Sequence, residues 1–363
     1  MPEKTQQTRA GDAPETRGRM EIGIDNFVSE VTDPRDGRTY SQAERMAQFL
    51  REVVVADQSG VDTFGVGEHH RENFLDSAPV VILGAAAGLT ERIRLRSAVT
   101  VLSADDPVRL FEQFATLDLI SGGRAEMVLG RGSFVEAFPL FGLELDDYDS
   151  LFEEKLELML ALRDEPHPHW AGRHRAPLTG QGVFPRPVQA QLPMWIGVGG
   201  TPASFVRAGG LGLPLMVAII GGEPRRFKPL VDLYRRAWRE AGHPSEQMRV
   251  GVHCFGFVAD TDREAADAFW PGYQAMMGAV SRERGFFPPT RADYEAMRGP
   301  DGAFFIGSPE TVAAKIHDLS PALGGVERFT MQMTNSVMAP EMMLHAIELL
   351  GRAVKPRVAE LGA

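Results

Sequence analysis

Eight short strand-like runs recur along the chain from Met20 onward, and segments of helical period separate most of them. The runs span 21–27, 63–67, 93–102, 125–130, 193–198, 215–220, 250–259 and 327–333. Helical spacing of apolar residues marks 41–59, 78–89, 107–120, 202–208, 225–241 and 309–319. Strands that alternate with helices pair in parallel, because each helix carries the chain back before the next strand begins. Eight such units predict an α/β fold closed into a (β/α)8 TIM barrel with insertions, rather than an open sheet.

Local chemistry sharpens several boundaries. Ser308 is suited to cap a helix whose first turn holds Pro309, and Glu310 there meets the positive end of the helix dipole. Gly122 and Gly123 are suited to end one helix just before the fourth strand. Two stretches break the period, 133–192 and 272–305. They are expected to be insertions on a single barrel domain spanning 20–363, with residues 1–19 a disordered tail. Within the first, 148–163 reads as a helix; within the second, 282–305 is a lid candidate with Phe286 and Phe287 as its apolar inner surface. The length of 363 residues fits this plan, since such barrels run to about 250 residues before additions.

A formal charge of −11 argues against a nucleic-acid surface, which needs concentrated positive charge. The single cysteine, Cys254, excludes an internal disulfide framework and a multi-cysteine metal site and fits a reducing cytoplasm. No run approaches the ~20 apolar residues needed to span a bilayer, so a cytoplasmic protein without membrane contact is expected.

Three segments carry candidate chemistry. Glu68, His69 and His70 follow the second strand, where a barrel delivers side chains to its active mouth. An imidazole there titrates near neutrality and can exchange protons, although adjacent residues face opposite ways and one histidine can simply satisfy a carbonyl. Arg131, between Gly130 and Gly132 at the end of the fourth strand, combines a close backbone approach with a guanidinium fork suited to phosphate; an inter-helix salt bridge is its plainer role. After the fifth strand, Gly199, Gly200, Thr201 and Ser204 open a helix whose free amides and hydroxyls suit a phosphate dianion. His167, His169 and His174 sit among prolines that keep the segment extended, and it reads as an exposed loop rather than a metal site.

Taken in order, these segments resemble the bacterial-luciferase-like family of flavin-dependent monooxygenases and oxidoreductases. The likeness runs from about Met20 to the C-terminus. It is carried by Gly67-Glu-His-His, by Ser97-Ala-Val-Thr-Val-Leu through Leu117-Asp-Leu-Ile-Ser-Gly-Gly-Arg-Ala to Gly130-Arg-Gly, and by Leu192-Pro-Met-Trp-Ile to Gly212-Leu-Pro-Leu. The resemblance implies that His69 is the catalytic histidine and that Arg131 grips the flavin phosphate. It places Gly199, Gly200, Thr201 and Ser204 on the phosphate-binding turn, and Ala98–Val99 at a non-proline cis peptide beneath the isoalloxazine ring. Gly130 replaces the reactive thiol of luciferase, and Gly200-Thr201 replaces a Glu-Ser start, so a non-luminescent branch is implied.

The resemblance further implies reduced FMN as cosubstrate with O2, a small organic substrate, a separate flavin reductase and a homodimer built on helices beside the early strands. A hydride-transferring oxidoreductase using 8-hydroxy-5-deazaflavin is the first alternative, and a non-catalytic flavin-binding or partner subunit the second.

Overall fold

The computed structural model describes residues 19–132 and 134–362, so nearly all of the expected N-terminal tail lies outside the described residues. Eight strands form the barrel: β1 (Glu21–Asn26), β2 (Thr63–Val66), β3 (Arg94–Ser97), β4 (Ala125–Gly130), β5 (Met194–Val198), β6 (Leu215–Ala218), β7 (Val250–Val258) and β8 (Arg328–Gln332). Each pairs in parallel with the next in the chain. β8 then pairs with β1, with Glu21 opposite Arg328 and Asp25 opposite Gln332, which closes the ring. The sequence pattern and the observed barrel agree strand for strand.

Closure puts two different environments on the two faces of every strand. Outward residues such as Ile22, Ile24, Phe329 and Met331 join the main core under the helices. Inward residues of β1 and β8 are polar instead. Arg328 donates to Glu126 and, through Nε at 2.7 Å, to Glu21, and its guanidinium lies 4.2 Å from the Trp195 ring centroid. Asp25 accepts from Arg96, from His253 at 2.6 Å and from Thr330 at 2.8 Å. Ions taken out of water cost several kcal/mol each unless paired, so these charges occur as matched sets. Val128, Trp195 and Met216, with Val99 against them, form a small apolar cluster separate from the main core.

The helices follow their capping residues. Ser41 and Glu44 form a capping box ahead of α1 (Gln42–Gln58), after which come α2 (Pro79–Ala87) and α3 (Pro107–Ser121). Asp106 accepts from the amides of Val108 and Arg109 at the start of α3, and Gly122 ends it at φ 66°. The next helices are α4 (Tyr148–Asp164), α5 (Pro202–Gly210), α6 (Lys228–Glu240), α7 (Asp262–Arg284) and α8 (Pro309–Ala322). Ser308 accepts from the Thr311 amide at the head of α8, as its sequence predicts.

Four differences from the sequence pattern stand out. The expected third strand is interrupted at Ala98–Val99 and resumes as Thr100–Val101, paired with Leu129 and Gly130. The stretch 272–284, read as the start of an insertion, continues α7, with Pro271 accommodated inside that helix. Beyond it, Phe287 is 96% exposed and Phe286 is also exposed, so the two rings do not form an apolar inner surface. A further short strand, Phe305–Gly307, extends the second half of β7.

Candidate active site

The C-terminal ends of β2, β3, β4 and β5 bring four of the predicted elements to one mouth: His69, Ala98–Val99, Arg131 and the Gly199–Thr201 turn. His69 is buried among the rings of Phe27, Phe74 and Phe134, with Phe74 stacked at 4.3 Å between centroids. Its Nδ1 faces the Asp76 carboxylate at 3.2 Å. A carboxylate only accepts, so the neutral imidazole carries its proton on Nδ1 and its lone pair on Nε2. Asp76 is itself fixed by the Val28 amide at 3.1 Å.

His70 is bound differently. Its Nε2 lies 3.2 Å from Glu68, whose other oxygen accepts from the Val101 amide. The hydrogen bond to Glu68 raises the imidazole above its ordinary pKa despite burial. Burial first, and the Glu68 charge second, push the neighbouring Asp105 carboxyl up to about 6.

Arg131 reaches toward the first turn of α5, with Nη2 3.4 Å from the Ser204 hydroxyl. It also pairs with exposed Asp149 and lies 5.1 Å from the Tyr148 ring, so the plainer salt-bridge role is present as well. Thr201 caps α5 by position without a side-chain cap hydrogen bond, and Pro202 at the first helical position has no amide to satisfy. A Cβ at Gly199 or Gly200 would meet no protein atom within 4 Å, so this turn faces open space. The Arg131 guanidinium and the Ser204 hydroxyl therefore lie together at the head of α5, beside an open glycine turn.

Ala98–Val99 is a cis peptide, as the resemblance predicts. The Val99 side chain occupies the space that side chains at 130 and 197 would take: a Cβ on Gly130 or on Gly197 would lie 2.7 Å from a Val99 methyl. Gly132 adopts φ 75°, a conformation that glycine reaches without steric penalty. Val99 and these glycines pack together as a floor at the end of β3 and β4.

Two features of this mouth escape the sequence reading. Asp25 and His253 form a second carboxylate–imidazole pair, inside the barrel. Burial alone would raise the Asp25 carboxyl, but Arg96 and the hydrogen bonds from His253 and Thr330 hold it below the usual carboxylate range. Gln332 and Thr100 are the other feature: both are buried, yet Gln332 Oε1 and Thr100 Oγ1 have no hydrogen-bond partner among the described residues. The inward period of β8, Arg328 then Thr330, is the signal that would have singled out Gln332. The histidines of 167–174 lie by a two-stranded pairing of His169–Trp170 with Leu178–Thr179, and among the described residues no group of three potential ligands is placed to hold a metal ion.

The family model for luciferase-like monooxygenases matches residues 27–325. The chain belongs to the luciferase-like monooxygenase family. Among curated relatives, 3,6-diketocamphane 1,6-monooxygenase of Pseudomonas putida is 25% identical over 355 residues, covering 85% of this chain and 92% of that one. Among solved structures, a type II Baeyer-Villiger monooxygenase, the oxygenating constituent of 3,6-diketocamphane monooxygenase from a Pseudomonas putida plasmid, in complex with FMN, superposes with a TM-score of 0.71 at 22% identity. That match covers 93% of this chain and 98% of the other. The coenzyme F420 dependent tetrahydromethanopterin reductase of Methanopyrus kandleri superposes with a TM-score of 0.68 at 20% identity, over 93% and 99% of the two chains. These two solved structures share this fold, and one is described in complex with FMN and the other as coenzyme F420 dependent. Among the described residues, no helix is long and apolar enough to cross a membrane.

Proposed function

We propose that this luciferase-like chain is a two-component monooxygenase that takes reduced FMN from a separate reductase and uses O2 on a small organic substrate. The observation that carries the reading is the approach of Arg131 to Ser204 beside the open Gly199–Thr201 turn, one strand from the Ala98–Val99 floor. Reduced flavin bound there supplies the electrons that activate oxygen. Arg131, the Ser204 and Thr201 hydroxyls and the turn amides hold its phosphate, and Val99, seated against Gly130 and Gly197, supports its ring. His69 takes or delivers a proton at Nε2, because Asp76 holds its Nδ1. Phe27, Phe74 and Phe134 keep water from that imidazole.

Charge-assisted hydrogen bonds to phosphate contribute about 1.5–3 kcal/mol, so Arg131→Ala weakens FMN binding by roughly 10- to 100-fold and riboflavin binding by less than about twofold. Fluorescence titration with both flavins checks this, and equal losses for the two remove the phosphate role. Hydride transfer on 8-hydroxy-5-deazaflavin is the second reading, favoured by the likeness to the F420-dependent reductase. Competition between FMN and the deazaflavin, followed by oxygen uptake with the reduced form of each, separates the two. Val81, 73% exposed on α2, and exposed Leu119 and Ile120 around the α3 C-terminus support a homodimer through these helices.

A further inference from the structure

We propose that His253 and Gln332 form a seat for the imide edge of the cofactor ring, an inference that rests on the flavin reading above. Along β8, Arg328 and Thr330 both point into the barrel, so Gln332 does too; along β7, His253 points in toward Asp25. Phe255 is the register partner of Gln332, and His253 lies two residues before it on the same inner face.

Gln332 is only 2% exposed, and its Oε1 has no partner among the described residues. Such an orphaned amide costs about 1–3 kcal/mol, which a bound group with matching donors and acceptors recovers. His253 supplies the complementary atom. Its Nδ1 donates to Asp25 at 2.6 Å, so in the neutral ring Nε2 is an acceptor. Arg96 already neutralises Asp25, so this arc carries no uncompensated charge and suits an uncharged partner.

Position links the arc to the ring floor. Gly65 has no side chain, and a Cβ there would lie 2.8 Å from the Ala98 Cβ and 2.2 Å from Asp25 Oδ1. The Arg96 guanidinium, 3.2 Å from the same point, and Asp25 thus lie beside Ala98, and Asp25 leads on to His253. The His253 side chain is 12% exposed although Trp195, Glu126 and Arg328 close the barrel beneath it, so its exposure opens on the mouth. An imide presents one N–H between two carbonyls: His253 Nε2 accepts from the N–H, and the Gln332 amide, turned about its Cγ–Cδ bond so that its NH2 takes the place of the unpartnered Oε1, donates to a flanking carbonyl. A substrate carbonyl is the competing occupant.

Fluorescence titration of wild type, Gln332→Met, His253→Ala and His253→Gln with oxidised FMN and N3-methyl FMN tests the seat, with thermal melting as the check on folding. Wild type is expected to bind the methylated flavin about tenfold more weakly, and the gap shrinks to within about twofold in Gln332→Met and His253→Ala. His253→Gln, which keeps an acceptor, retains part of it. Wild type that tolerates the methyl group, or variants that keep the full gap, overturn the seat while leaving the flavin reading intact. Failure of wild type to bind FMN at all overturns both. If a variant does not fold, the wild-type comparison of the two flavins still decides.

Discussion

Nδ1 of His69 lies 3.2 Å from Asp76, while the second oxygen of that carboxylate is already occupied by the Val28 amide. The two contacts together orient the carboxylate and, through it, the imidazole. In Asp76→Asn the side-chain oxygen stays with the Val28 N–H, and the NH2 group turns to His69. A donor facing Nδ1 moves the ring proton to Nε2 and removes the lone pair from the mouth. Nitrogen-15 NMR of the histidine is expected to show Nδ1–H in wild type and Nε2–H in the variant, with FMN affinity changed by less than about twofold. Turnover falls with the tautomer; unchanged nitrogen shifts would remove the orienting role of Asp76.

Val99 and Gly130 predict a mutual rescue. A methyl added by Gly130→Ala meets Val99 at 2.7 Å, and overpacking of this kind destabilises by about 1–3 kcal/mol. Val99→Ala removes the nearest methyl and leaves its Cβ at 3.1 Å, so the double variant should recover part of the loss in a urea titration. Additive losses would show that the crowding lies elsewhere.

Asp105 sets a dependence of stability on pH. Its carboxyl titrates at about 6 in the folded chain, above the ordinary carboxylate value, so the folded state holds a proton that the unfolded state has released. Stability therefore falls as pH rises from about 4 to about 6 and stays lower above that range. Asp105→Asn keeps an acceptor for the Asp106 amide at 2.7 Å but cannot ionise. The variant is expected to be more stable than wild type above pH 6 by about 1–2 kcal/mol, after allowance for partial exposure, and to match it near pH 4. A gap that does not widen with pH would mean that the carboxylate is not disfavoured there.

Arg328 and Glu126 predict asymmetry between one loss and two. Removing one member of a buried ion pair costs about 3–5 kcal/mol, because the other charge is left without its partner. Arg328→Met leaves Glu126 with Arg94 at 3.2 Å, so it should lose up to that much in equilibrium unfolding, and Arg328→Met combined with Glu126→Gln should lose less. Equal losses would place the cost in the contact of the guanidinium with Trp195 instead.

The barrel is legible in the sequence because its strands are short β-type runs set between segments of helical period. His69, Arg131 and Ser204 stand out because they follow those runs directly. Asp25 and His253 do not: 228 positions separate them, and each alone reads as an ordinary polar residue in a strand. The inward charges mislead in the same way, since a polar residue at every second position of β8 looks like a solvent face until the ring closes around it. The strand Phe305–Gly307 is too short for periodicity to reveal, and α7 is obscured by Pro271.

β1 and β8 are neighbours, and that adjacency times the molecule's own manufacture. Asp25 emerges early from the ribosome, but Thr330, which completes its hydrogen bonds, follows 305 positions later. Until then the growing polypeptide has two raw sheet edges and a carboxylate awaiting the last of its three side-chain partners. The mouth is consequently among the last parts to be finished, and a truncated translation product ending before Arg328 lacks the stave that turns a sheet into a vessel.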